Sequence, residues 1–360
     1  MEALESDHQQ GDGPFTARAA KMVSDLVGGG HVLLTPSCTH ALEMASMLGN
    51  FGPGDEVILP SYTFTSAATA VTKFGAIPVF VDIEPLTKGI DANQVAAAVT
   101  DKTVAISWVN YAGVAPDIDA LQNIARKNDL LLIEDNAHGL GGSYKGKPLG
   151  SFGDFATQSF HATKNIQCGE GGALVVNSSK HVERAEIIRE KGTDRSSFLR
   201  GEVQKYQWVD QGSSYLISET QAAILLGQLE NFEYIQNERT KLYELYLHEI
   251  YKLGLNSNSF RFDSVQGSVN VAHIFYLELN EINNREKIQR IMLKNGIQTT
   301  SHYVCLDSSP AGERFGRKIM ENNISRNFSK SIIRFPLWIG LGQPEVNEII
   351  TVYREALITT

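Results

Sequence analysis

The residues best suited to chemistry lie in Ser159-Phe160-His161-Ala162-Thr163-Lys164-Asn165, followed at once by Gly169-Glu170-Gly171-Gly172. A lysine just past an apolar-to-polar strand, in a stretch poor in other charges, sits where an amine can be kept partly neutral and act as a nucleophile. A solvated lysine before a glycine turn would look the same locally, because exposed lysines are common. What else the chain brings to Lys164 decides between them.

Asp135 ends the run Leu130-Leu131-Leu132-Ile133-Glu134-Asp135, with Asn136, Ala137 and His138 following. A carboxylate there either pairs with a cationic ligand group or caps a turn. Thr35-Pro36-Ser37-Cys38-Thr39 precedes Ala41, Leu42, Ala45 and Leu48 at helical spacing. Small hydroxyl residues at that point cap a helix, and the same helix end is a ready phosphate site. Phe64, at a strand-to-helix junction, either lies across a planar ligand or belongs to the core. Pyridoxal phosphate needs this set: a helix N-terminus for its phosphate, an acid for its ring nitrogen and a lysine for its aldehyde. Its protonated ring is an electron sink, which transamination requires.

The elements that must position these groups follow an α/β rhythm. Apolar runs at 31–34, 56–60, 77–83, 104–109, 130–135, 155–160 and 173–177 read as strands, and periodic segments at 15–26, 41–48, 65–74, 118–127 and 182–191 as helices. Such alternation predicts a mostly parallel sheet covered on both faces, with ligands at the carboxyl ends of its strands. Residues 192–215 form a long polar and aromatic segment, a length usually tied to function or an interface. A helical pattern from 218 to about 253 carries the chain into a second unit. That unit should hold strands at 272–279 and 297–304, a helix at 285–294, an apolar segment at 332–338 and a final helix after Pro344. The expected division is a large domain over 1–235 and a small one over 236–360.

With 360 residues, 42% hydrophobic and 20% charged, the composition is that of a globular enzyme. The net charge of −9 disfavours nucleic acid as a partner. Three widely spaced cysteines indicate neither a disulfide framework nor a metal site and suit a reducing cytoplasm. No run reaches the ~18 to 20 apolar residues that cross a bilayer, and the acidic start lacks the features of a signal peptide.

Ile133 to His138, Ser159-Phe160-His161, Lys164-Asn165 and Gly169-Glu170-Gly171-Gly172, in that order and spacing, resemble the sugar aminotransferases of the DegT/DnrJ/EryC1/StrS family. Pro36-Ser37-Cys38-Thr39, Pro60-Ser61-Tyr62-Thr63-Phe64 and Tyr111-Ala112-Gly113 extend the resemblance over nearly the whole chain. It implies the aspartate-aminotransferase fold (fold type I): α/β, with a large mixed, mostly parallel sheet domain and a smaller C-terminal α/β domain. It further implies that Lys164 holds the cofactor aldehyde and shuttles the proton, and that Asp135 partners the ring nitrogen. Phe64 would stack on the ring, His138 would pack near it, and Cys38, Thr39 and Ser159 would bind the phosphate.

Arg189 to Arg195, Gly212 to Leu216 and Ser309 to Gly316 are similar to the branch that aminates C4 of dTDP-4-keto-6-deoxyglucose with L-glutamate, for deoxyamino sugars such as those of lipopolysaccharide O-antigen. Many relatives, those forming 3-amino sugars from dTDP-3-keto-6-deoxyhexose among them, carry Asn and Arg where Ser214 and Leu216 stand. In the family the segment around 212–216 reaches the neighbouring subunit's cofactor phosphate. The resemblance therefore implies a homodimer with shared sites, Ser213 or Ser214 making that contact. Lys191 and Arg195 are cations suited to the nucleotide diphosphate, or else to a solvated helix end.

Two departures stand out: the family has roughly 15 to 20 more residues before the equivalent of Gly11, and its second histidine after His302-Tyr303 is replaced here by Asp307. A sugar 3-dehydratase would carry histidine in place of Lys164. A regulator that merely senses the cofactor would append a DNA-binding domain, for which the length and acidic charge leave no room.

Overall fold

The computed structural model describes residues 2–253, 267–279 and 284–359. Its centre is an eight-stranded sheet: β1 (His31–Thr35), β2 (Glu56–Pro60), β3 (Ile77–Val81), β4 (Thr103–Val109), β5 (Leu131–Asp135), β6 (Phe155–Ser159), β7 (Gly172–Val176) and β8 (Arg317–Lys318). The spatial order is β1-β7-β6-β5-β4-β2-β3-β8. Only β7 runs against its neighbours; the other pairings are parallel. The strands read as continuous apolar runs because both faces are covered. In β2, Val57 and Leu59 enter one hydrophobic cluster while Ile58 enters another on the opposite face.

Local chemistry sets the helix ends. Ser37 accepts a hydrogen bond from the amide of His40 at 3.2 Å and starts the helix Cys38–Leu48. Asp117 caps Ile118–Asn128 in the same way, and that helix stops at Asp129 in the left-handed conformation, with Arg126 and Lys127 in its last turn. Ser218 caps Glu219–Glu230. After a break at Asn231 the helix Phe232–Lys252 begins.

Packing changes partner inside that second helix. Ile235 belongs to a cluster with β1 and β7, whereas Leu242, Tyr243, Tyr246 and Ile250 join a separate core. That core is built on the antiparallel pair Phe275–Glu278 and Ile332–Phe335, covered by Arg285–Lys294 and Gln343–Thr359. The expected boundary at 235/236 falls within this helix. The chain also returns: β8 pairs with β3 of the large sheet, and Leu306 enters that sheet's core.

Three expectations need correction. The helix Ala92–Ala98, capped by Asp91, was not foreseen. The strand at 272–279 shortens to Phe275–Glu278, since Ala272 sits at φ 47°. No strand forms over 297–304. That stretch has a single bridge, Thr300 to Arg334, and its polar backbone is met by side chains instead. The amide of Tyr303 donates to Tyr62 Oη at 3.3 Å, and Ser329 Oγ donates to the Tyr303 carbonyl at 2.9 Å. Freed from a ladder, residues 300–303 turn their side chains into a cleft against the large sheet.

Side chains alternate across β5, so adjacent carboxylates have different duties. Glu134 is fully buried and accepts from Asn110 Nδ2 (2.8 Å), the amide of Gly150 (2.8 Å) and the amide of Phe152 (3.0 Å). It ties β4 and the approach to β6 to β5. Glu134→Ala would orphan these buried donors at a cost of about 3 kcal/mol. The expected result is a lower urea midpoint with an unchanged m-value, measured by circular dichroism.

Candidate active site

The carboxyl ends of the parallel strands and the start of β7 open onto one cavity of about 690 Å3. It is lined by Cys38, Thr39, Phe64, Asp135, His138, Ser159 and Lys164, all expected from the sequence. Its remaining wall comes from the second unit: Thr300, Ser301, His302, Tyr303 and Arg334.

Lys164 is half-buried in a turn whose amide donates to the His161 carbonyl at 2.8 Å. Among the described residues its Nζ has no hydrogen-bond partner. Desolvation holds its pKa below that of a free lysine; the opposing field of Asp135 limits the drop, and Arg334 adds to it. This is the condition in which a lysine amine is nucleophilic near neutral pH. The neighbouring Asn165 anchors the turn across the cleft. Its Nδ2 donates to Gln236 Oε1 (3.0 Å) and to the Val271 carbonyl (2.8 Å), leaving Oδ1 to accept from His273 Nδ1 at 2.9 Å.

Asp135 is 5% exposed. Burial raises its pKa, and the Ala137 amide at 3.1 Å, the Lys164 charge and Thr157 only partly offset this. The site thus offers a carboxylate that lacks a close cation, which a protonated ring nitrogen would supply. Cys38 Sγ lies 3.5 Å from Thr157 Oγ1 and 4.0 Å from Asp135 Oδ1, and burial pushes the thiol pKa up, so it stays protonated and inert.

The N-terminus of Cys38–Leu48 faces the same cavity, with amides that have no intrahelical acceptor. Thr39 Oγ1 bonds Ser66 Oγ at 2.7 Å, joining this end to the start of the helix Thr65–Thr72. The approach of β7 to the first helix end is so close that a Cβ on Gly172 would lie 2.3 Å from the Cys38 amide nitrogen. The backbone there leaves room for glycine only. Phe64, at the N-cap of Thr65–Thr72, is 54% exposed, its ring 6.0 Å from that of Tyr303.

His138 is buried and its pKa is depressed, chiefly by desolvation and then by the Lys164 charge, so the ring is neutral. The Ala112 amide donates to Nδ1 at 3.2 Å; Nε2 therefore carries the proton and donates to Tyr303 Oη at 3.1 Å. His273 stacks on His138 with centroids 4.2 Å apart, and His302 Nδ1 shares a hydrogen bond with Tyr111 Oη at 2.7 Å. A phosphate-ready helix end, an unpartnered carboxylate, an amine and a neutral histidine–tyrosine pair fit pyridoxal phosphate.

Lys191, Arg195, Ser213 and Ser214 do not line the cavity. Lys191 Nζ (2.8 Å) and Arg195 both pair with Glu190, and Glu190 bridges to Ser214. Asp307, which stands where the family has its second histidine, is also outside it, bonded to Ser61 Oγ. Tyr303 and Arg334 were missed as site residues. The one sequence signal for Arg334 is a lone charge in an otherwise apolar strand.

Asp135→Asn removes the buried charge and should leave the cofactor-free protein at least as stable at neutral pH. The sign follows from the raised pKa: an ionised Asp135 costs stability above its folded-state pKa and nothing below its unfolded-state value. Pyridoxal phosphate affinity should fall by about 10- to 150-fold, the worth of a charge-assisted hydrogen bond. Thermal melts of the cofactor-free protein and absorbance titrations with the cofactor measure the two effects.

Residues 1–354 match the model of the DegT/DnrJ/EryC1/StrS aminotransferase family. The chain is 35% identical to GDP-perosamine synthase of Caulobacter vibrioides over 71% of this chain and 67% of that one. It is 29% identical to the spore coat polysaccharide biosynthesis protein SpsC of Bacillus subtilis, over 95% and 90%. Among solved structures, DesV of S. venezuelae superposes with a TM-score of 0.86 at 27% identity, covering 98% of this chain and 92% of that one. The chain belongs to the DegT/DnrJ/EryC1/StrS aminotransferase family and is a transaminase that uses pyridoxal phosphate.

Proposed function

We propose that this enzyme moves an amino group from L-glutamate to C4 of a nucleotide-linked 4-keto-6-deoxy sugar, dTDP-4-keto-6-deoxyglucose, in deoxyamino-sugar biosynthesis. The observation that carries the reading is Lys164, an unpaired amine held partly neutral in one cavity with the unpartnered carboxylate of Asp135. When bound, pyridoxal phosphate supplies an electron sink for cleavage of a Cα–H bond. Lys164 Nζ takes and returns the proton that moves between carbon atoms. Asp135 keeps a positive charge on the ring nitrogen beside it. The amides of Cys38 and Thr39, with the Thr39 and Ser159 hydroxyls, would hold the cofactor phosphate, and Phe64 would pack on its ring. The pair His138 Nε2–H to Tyr303 Oη offers a neutral donor-acceptor edge on the cavity wall, which would serve the polar edge of the cofactor or substrate.

The relatives named for GDP-perosamine and for a coat polysaccharide support a nucleotide-sugar substrate. The C4 choice rests on Ser214 and Leu216; amination at C3 of a dTDP-3-keto-6-deoxyhexose is the second reading. Membership in an aminotransferase family with the lysine in place sets aside a protein that only senses the cofactor.

The working form is a homodimer with shared sites. Supporting this, the segment 192–215 exposes Leu199, Tyr206, Trp208 and Val209, with Trp208 79% exposed, a surface that a second copy can cover. Ser213 and Ser214 would then reach the partner's phosphate, and Lys191 and Arg195 would exchange Glu190 for the sugar diphosphate. Among the described residues no helix is long and apolar enough to cross a membrane, and the three cysteines are free, as the cytoplasm would keep them.

The test is incubation with pyridoxal phosphate, L-glutamate and a panel of dTDP- and GDP-linked 3- and 4-keto sugars, with the aminated carbon identified by NMR. A 4-amino sugar is expected from the wild type and none from Lys164→Ala. A 3-amino product favours the second reading, and no amino sugar from any member of the panel rejects both. Lys191→Ala with Arg195→Ala should raise KM for the sugar nucleotide about tenfold with kcat little changed, as for a contact made equally in ground and transition states.

A further inference from the structure

His273 is a buried titratable ring that does not line the cavity, yet the fold fixes it as firmly as any group that does. Gln236 and Arg239, one turn apart on Phe232–Lys252, hold the carbonyls of residues 271–273. Gln236 Nε2 donates to Val271 at 3.4 Å, and Arg239 donates to Ala272 at 3.1 and 3.2 Å and to His273 at 2.7 Å. Ala272 sits at φ 47°, a conformation that residues with a Cβ rarely adopt, with its amide donating to Asn270 Oδ1 at 2.8 Å. Such a backbone persists only where its surroundings over-determine it, and it leaves the next side chain little freedom of place.

The ring itself is also fixed. Asn165 uses its amide hydrogens on Gln236 Oε1 and the Val271 carbonyl, so the atom it turns to His273 is Oδ1, which can only accept. His273 Nδ1 therefore carries the proton. Desolvation first, then the charges of Lys164, Arg239 and Arg334 and the neighbouring His302, hold its pKa well below the usual histidine value, so the ring is neutral. One face lies on His138, with centroids 4.2 Å apart and planes at 29°. The edges of His138 are taken by the Ala112 amide and Tyr303 Oη, and His273 supplies the support for its face. The gap that Lys164, Asn165, His138 and His273 share is about 10 Å3, room for one water at most.

We infer that His273 is a positioning residue that couples the Lys164 turn to His138: its ring keeps the His138 ring in plane, and its Nδ1–H ties that ring to the residue next to the lysine. The inference rests on the cofactor reading of the cavity and adds how the amine and the neutral donor are kept in register. Proton transfer at a held ligand tolerates errors of only about 0.5 Å, and two groups on separate loops meet that tolerance when one side chain touches both. Filling space would need only a ring of this size; coupling needs the ring and its proton together.

The test cuts one joint at a time. His273→Phe keeps the ring and loses the donor to Asn165, whereas His273→Asn keeps a donor and loses the ring. The first readout is the rate at which pyridoxal phosphate adds to the cofactor-free protein as a function of pH, whose midpoint reports the Lys164 amine. The second is exchange of the His138 Nε2 proton in the cofactor-free protein, followed by NMR and assigned by comparison with His138→Gln. In His273→Phe the freed turn lets water reach the amine, so the midpoint should rise by about 1 pH unit and the rate at pH 7 should fall about tenfold, with His138 exchange changed less than about twofold. In His273→Asn the midpoint should stay and His138 exchange should quicken at least about tenfold. An unmoved midpoint in His273→Phe, unmoved exchange in His273→Asn, or equal effects of both variants on both readouts would overturn the assignment. Thermal melts check folding; if His273→Phe does not fold, Asn165→Ala cuts the same bond from the other side. If pyridoxal phosphate does not add to Lys164 of the wild type, the transaminase reading fails, and His138 exchange still decides whether His273 holds that ring.

Discussion

The structure is arranged around one electrostatic constraint: Asp135 and Lys164 are taken out of water into a shared cavity without being allowed to neutralise one another directly. A tight ion pair would satisfy both and disable both. Instead Asp135 has a backbone amide and a raised pKa, and Lys164 has no partner and a lowered one. Each group keeps unspent capacity for a ligand that carries an opposite or reactive partner. Such unsatisfied burial costs stability, and the sheet must supply the rigidity to maintain it.

The surrounding fold does this by giving polar groups separate tasks. Glu134, one residue from Asp135, is fully consumed in tying strand ends together. Ser37 is consumed in capping, which leaves the amides of Cys38 and Thr39 to the cavity. Asn165 fixes the lysine turn to residues 271–273 of the second unit, and Arg239 fixes the carbonyls of Ala272 and His273 in turn. These hydrogen bonds to backbone and histidine tie the lysine turn to the second unit without using Lys164 or Asp135.

Most of the sheet and one half of the site were legible in the sequence, for a physical reason. Strands buried on both faces announce themselves as apolar runs, and in a parallel sheet their polar terminators, Cys38, Asp135 and Ser159, necessarily converge on one edge. The other half was hidden because the second unit supplies it through backbone that follows no period. Residues 300–303 look like strand by composition, yet their amides are met by Tyr62 and Ser329, which local pattern cannot reveal. Tyr303 enters the site through long-range contacts, lining the cavity beside Phe64 and bonding His138, 165 positions away. Lys191, Arg195, Ser213 and Ser214 illustrate the converse: chemically suited residues that a single chain keeps around Glu190, outside the cavity.

Burial and isolation make Lys164, among the lysines of this chain, the one expected to react with an aldehyde cofactor. Borohydride reduction of the cofactor-loaded protein, followed by proteolysis and mass spectrometry, locates that bond. A single reduced adduct is expected on the peptide that carries Lys164, at one per chain. An adduct on a different lysine, or labelling spread over exposed lysines with Lys164 unmodified, would contradict it.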